Sequence, residues 1–115
     1  MRVLVCGGRE YADSERVYTT LSAIHVITPI TVIIHGGAKG ADLLAEEWAD
    51  GDQVVTHVFS ANWAAFGRSA GPIRNSHMLE YGQPDLVVAF PGGRGTADMV
   101  FKAKAAGVEV MELTE

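Results

Sequence analysis

The sequence predicts an α/β fold: one domain built on a parallel sheet of about five strands, with helices on both faces. Three observations carry this expectation. Short apolar or β-branched runs alternate along the chain with stretches of helical periodicity. One of them, Leu86–Phe90, is continuously apolar, as a strand covered on both sides must be. Of the thirteen glycines, Gly51, Gly82 and Gly107 sit where helices should stop, and the other ten lie in connections leaving the carboxyl end of a strand. That rim is where open α/β sheets bind ligands.

Taken in order, Arg2–Cys6 is the first strand, followed by Gly7-Gly8-Arg9. Asp13 or Ser14 can cap a helix whose apolar stripe is Val17, Leu21 and Ile24. Pro29 separates it from Thr31–His35, a β-branched second strand. After Gly36-Gly37-Ala38-Lys39-Gly40 comes a helix with Ala41, Leu44, Ala45 and Trp48 on one face, ended by Gly51. Gln53–Phe59 is the third strand and Ser60–Gly71 a long connection. Pro72 suits the first turn of a helix reaching Tyr81. Leu86–Phe90 is the fourth strand, Thr96 opens and caps a helix that runs to Gly107, and Val108–Leu113 is the last strand. Helical crossovers between successive strands make the sheet parallel and Rossmann-like.

At 115 residues the chain is one domain with room for one sizeable core. With 48% hydrophobic and 20% charged residues it is globular and not disordered. Nine basic against fourteen acidic residues leave a net charge of −5, which disfavours nucleic acid as a partner. A single cysteine, Cys6, permits no internal disulfide, so a reducing, cytoplasmic location is expected. No apolar run is long enough to span a membrane, and the N-terminal MRVLVCGG reads as a strand rather than a signal peptide.

The chemistry is expected at the glycine loops. Pro91-Gly92-Gly93-Arg94-Gly95-Thr96, between a buried strand and a helix, has the composition of a phosphate-binding corner. It is not a Walker loop, and no G-x-G-x-x-G accompanies the first strand, so neither triphosphate hydrolysis nor dinucleotide redox chemistry is indicated. The Gly36–Asp42 segment is a second glycine corner. There Lys39 either neutralises a phosphate or is solvated, and Asp42 either binds ribose hydroxyls or complements the helix dipole. Gly7-Gly8-Arg9 is a third loop, and Cys6 before it reads as a buried spectator thiol. Arg68 and Arg74 make a local basic spot suited to bidentate phosphate contacts, with a surface Arg–Glu pair as the alternative. Trp63 or Phe66 can stack on a base or fill core. The four histidines show no metal-ligand spacing, so no metal or other cofactor is read; His77 is expected nearest the rim.

Together these motifs resemble the SLOG superfamily, which includes the lonely-guy phosphoribohydrolases and the DprA/Smf proteins. The likeness is closest to its YspA-like, cpYpsA-related branch, small proteins of bacteria and phages. It is carried by Gly7-Gly8-Arg9 with Asp13, the His35–Asp42 run, Ala61-Asn62-Trp63, Gly67-Arg68-Ser69-Ala70-Gly71-Pro72-Ile73-Arg74-Asn75, and Phe90–Asp98. The resemblance implies a nucleotide or nucleotide-derived ligand, such as AMP, ADP-ribose or a cyclic relative, and a homodimer. The phosphoribohydrolases cleave N-glycosidic bonds with an arginine, which Arg74 matches, and with the glutamate ending P-G-G-x-G-T-x-x-E. That position is Met99 here, and methionine cannot transfer a proton. Asp98, one residue earlier, is the remaining acid. The expectation is therefore a binding module acting as sensor or sequestering protein. An N-glycosidase using Arg74 and Asp98 is the alternative, and single-stranded DNA binding in the manner of DprA the third.

Overall fold

A computed structural model describes residues 1–114. The strands are β1 (Arg2–Cys6), β2 (Val32–His35), β3 (Val55–Val58), β4 (Leu86–Ala89) and β5 (Glu109–Glu112). The helices are α1 (Ser14–Ile27), α2 (Ala41–Gly51), α3 (Trp63–Phe66), α4 (Ala70–Gly82) and α5 (Arg94–Ala105). All strand pairs are parallel, and the sheet order is β3-β2-β1-β4-β5. This is the Rossmann-like arrangement the alternation predicts.

Strand alternation sorts the core into two layers. Val3, Val5, Ile33, Leu86 and Val88 project to one face, where they meet Val17 and Leu21 of α1 and Ala45, Trp48 and Ala49 of α2. Leu4, Cys6, Ile34, Val87 and Ala89 project to the other, against Met78 of α4 and Met99 and Ala103 of α5. Leu4 lies opposite Ile34 on one side and Val87 on the other, so the central row of the second layer is apolar across three strands. Each such side chain contributes about 1.5–3 kcal/mol by leaving water.

β1 is central. The chain leaves it toward β2 on one side, and later passes over to place β4 on its other side. The crevice between the carboxyl ends of β1 and β4 is therefore the switch point at which such sheets bind ligands. No helix among the described residues is long and apolar enough to cross a membrane.

Two local expectations are corrected and a third is refined. Ser60–Gly71 is not open loop: Asn62 Oδ1 accepts from Ala65 N–H at 3.1 Å and caps α3, and a 3₁₀ turn, Gly67–Ser69, leads straight into α4 at Ala70 rather than Pro72. α5 starts at Arg94 with Gly93 as its N-cap, so Thr96 lies inside the first turn and does not cap. α2 and α4 end at Gly51 and Gly82 as expected, and the left-handed residues beyond them are Gln53 and Gln83, at φ of 57° and 51°. Gly82 has a packing reason, since a Cβ there would lie 3.2 Å from the Ile34 side chain.

Candidate functional site

The β4–α5 corner is built by backbone packing. Phe90 N–H donates to Cys6 O and Gly8 N–H to Pro91 O, both at 2.9 Å, so the β1–β4 pairing continues past the strands. Gly8 and Gly92 are required by that approach. A Cβ on Gly8 would sit 3.1 Å from Pro91 O, and one on Gly92 would be 2.7 Å from Gly8 N and would strike Thr96 Oγ1. Gly93 and Gly95 have no such reason, because a Cβ on either would meet nothing within 4 Å and neither has a positive φ. Among the described residues no side chain bonds to the first N–H groups of α5. Those donors, carrying the positive end of the helix dipole, open into free space.

The β2–α2 corner is closed by the protein itself. Asp42 Oδ2 accepts from Gly36 N–H at 3.0 Å and from Ala38 N–H at 3.2 Å. His35 Nδ1 accepts from Gly37 N–H at 3.0 Å, which leaves Nε2 to donate to Glu46 Oε1 at 2.7 Å. Ala41 N–H donates to Gly8 O at 3.3 Å. Burial pushes the Asp42 carboxyl above its ordinary range, although the Ala38 N–H and the Arg74 guanidinium draw it back.

Between the two corners lies a cavity of about 610 Å³. Of the predicted site residues it brings together Gly7, Gly8, Arg9, Ala38, Asp42, Trp63, Arg68, Arg74, Asn75, Gly93, Arg94, Gly95, Thr96 and Asp98. Gly36, Gly37, Lys39, Pro91 and Gly92 do not border it. His77 does not border it either; its ring lies 5.5 Å from that of Tyr81. Four of the six arginines of an acidic chain, Arg9, Arg68, Arg74 and Arg94, line this one space. The lining also takes in Cys6, Gly71, Pro72 and Met78, which the residue patterns did not single out as site residues. Gly71 and Pro72 could have been found from their place between Arg68 and Arg74.

Arg74 is firmly seated. Nη1 donates to Gly36 O at 2.9 Å and Nε to Asn75 Oδ1 at 3.1 Å, and none of its hydrogen bonds among the described residues uses Nη2. Burial draws the guanidinium below its ordinary pKa, opposed by the Asp42 charge. Asn75 Nδ2 in turn donates to Gly95 O at 3.1 Å and Asp98 Oδ2 at 3.0 Å. Asp98 Oδ2 also pairs with Lys102 Nζ at 3.1 Å. Arg74 and Asn75 thus tie β2, α4 and α5 together across the cavity. On its outer side the Arg9 guanidinium lies 5.4 Å from the ring centre of Trp63, whose side chain is half exposed. Met99 is fully buried in the second core layer and faces away from any solvent-borne ligand.

Comparison with known proteins agrees with this frame. Residues 1–66 match the YAcAr family, described as the YspA, cpYpsA-related SLOG family. Over 118 residues the chain is 36% identical to the Gene 61 protein of Mycobacterium phage D29, spanning 96% of this chain and 94% of that relative. The chain belongs to the YspA, cpYpsA-related SLOG family.

Proposed function

We propose that this protein binds a nucleotide or nucleotide-derived ligand, such as AMP, ADP-ribose or a cyclic relative, and acts as a sensor or sequestering module. Family membership supports a nucleotide-related role in general terms. The observation that carries the specific reading is the uncapped start of α5. Two glycines there with no packing reason open onto a cavity lined by four arginines. An anionic group at that point would take the free N–H groups of Arg94, Gly95 and Thr96 and lie within a positive field. Trp63 is the aromatic face available for a base.

A turnover reading is kept because Asp98 does border the cavity beside Asn75, with Oδ1 free of hydrogen bonds among the described residues. Against it, Asp98 is already paired with Lys102, and the position of the family hydrolases' glutamate is occupied by buried Met99. Calorimetry with AMP and ADP-ribose, followed by chromatography of the incubated mixtures, separates the readings. Saturable binding with intact nucleotide is expected. Release of free base, lost in Asp98→Asn, would establish an N-glycosidase, and absence of binding would remove the nucleotide reading.

A further inference from the structure

The outer side of the cavity is built differently from the rest of the fold. Residues 62–69, which comprise Asn62, α3 and the 3₁₀ turn Gly67–Ser69, are all exposed, and buried chain resumes only at Ala70. Two of them are large aromatics left half in water, Trp63 at 48% and Phe66 at 51% exposure. Trp63 and Arg68 border the cavity, whereas Phe66 does not.

Little ties this segment to the body of the protein. Asn62 accepts from Ala65 N–H through Oδ1 at 3.1 Å and from Phe66 N–H through its carbonyl at 3.0 Å, and Trp63 O accepts from Gly67 N–H. Among the described residues none of its side chains hydrogen-bonds to, or forms an ion pair with, another element. Trp63 is held by the Arg9 guanidinium over its ring and by Gly71, where a Cβ would lie 3.3 Å from that ring. Gly67 sits at φ 53° and ψ −129°, and a Cβ there would meet nothing within 4 Å, so this glycine serves the backbone alone. A stretch with no buried side chain and a glycine joint opens at low cost.

We propose that residues 62–69 form a lid. When a nucleotide fills the cavity, the segment turns about Gly67 and carries Trp63 and Arg68 inward over it. The proposal rests on the nucleotide reading above and adds the closing step that controls access to the site. The chemistry drives that direction. A bound anion attracts Arg68, and a base gives the half-wet Trp63 ring a flat apolar partner in place of water. Arg9 is the latch of the empty state, since a stack of this kind at an exposed position is weak enough to yield to a base. Phe66 travels with the lid without bordering the ligand's space.

The test is limited digestion of the full chain with chymotrypsin, with the cut bonds placed by mass spectrometry and AMP saturation set by calorimetry. Tyr81 of α4 and Phe101 of α5 are more exposed than Phe66, at 65% and 72%, but stand on helices anchored by buried residues, so they report opening of the whole fold. In the empty protein the bond after Phe66 is expected to be cut at least about tenfold faster than those after Tyr81 and Phe101. Saturating AMP should slow the Phe66 cut at least about tenfold relative to the other two, which general stabilisation by a ligand slows together. Trp63→Ala, at an exposed position, should still bind AMP and lose most of that protection at saturation. A Phe66 cut no faster than the others, bound AMP that leaves it unchanged or slows all three alike, or full protection in Trp63→Ala would overturn the lid and leave nucleotide binding intact. No binding of AMP would overturn both.

Discussion

The β2–α2 and β4–α5 corners look alike as strings, each a strand, a pair of glycines and a helix, yet they do opposite things. The second residue of α2 is Asp42 and the second residue of α5 is Gly95. In α2 the carboxylate turns back to take two loop N–H groups, so the corner carries its own anion. In α5 the same position has no side chain at all, and the donors stay open to a guest. One acid in the first turn therefore distinguishes a corner that holds itself together from one that can hold something else.

The comparison breaks most sharply at Gly40. This residue has φ of 75°, and a Cβ on it would collide with Gly8 O and lie 2.7 Å from Arg9 backbone atoms. Gly40→Ala is expected to cost about 3 kcal/mol in urea unfolding, because neither backbone can yield without opening the packed loops. A loss no larger than that of a surface substitution would show that the closed corner is not rigid.

Asp42 gives a smaller effect with a sign set by linkage. Its folded-state pKa is raised, chiefly by burial, so the native protein holds the proton more tightly than the unfolded chain. That stabilisation is complete below the unfolded pKa and is lost as pH rises through the folded one. Asp42→Asn does not titrate and its Oδ1 can still accept from Gly36 and Ala38. As pH rises from the ordinary carboxylate range through the folded-state pKa, the variant should therefore gain stability relative to wild type, followed by denaturant unfolding at each pH. A flat difference would show that burial does not dominate at this carboxylate.

Gly95 supplies the smallest change in stability and the clearest contrast. A methyl there meets nothing and removes a glycine from a helix, so Gly95→Ala should stabilise the unliganded protein by about 0.5–1 kcal/mol. The same methyl projects beside the open donors and should weaken AMP binding by about tenfold or more. Greater stability with unchanged affinity would place the anion elsewhere.

Much of this architecture was legible in the sequence. The alternation of buried runs with helical stripes prescribed a parallel sheet of about five strands, and the sheet has five. The strand order was not legible, because the pairing of β1 with β4 depends on a crossover that no local pattern encodes. At the site, Arg68, Arg74 and, from the PGGRGT run, Gly93, Arg94, Gly95 and Thr96 border the cavity and were singled out from composition, whereas Pro91 and Gly92 of the same run do not border it. Which corner stays open was not legible, since Asp42 in a first turn reads equally as a ribose contact and as a dipole partner. Arg74 was expected to meet a phosphate or a surface glutamate, and its hydrogen-bond partners among the described residues are neutral acceptors instead. The two closest are the Gly36 carbonyl and the Asn75 amide, and a carbonyl contributed 38 residues away leaves no trace in spacing.

The floor of the larger cavity includes Cys6, whose thiol burial pushes up to about 12. At neutral pH only about one molecule in a hundred thousand would carry the reactive thiolate. Electrophilic nucleotide probes will therefore find no sulfur handle in the native protein, and covalent mapping of this chamber needs a cysteine introduced on its rim.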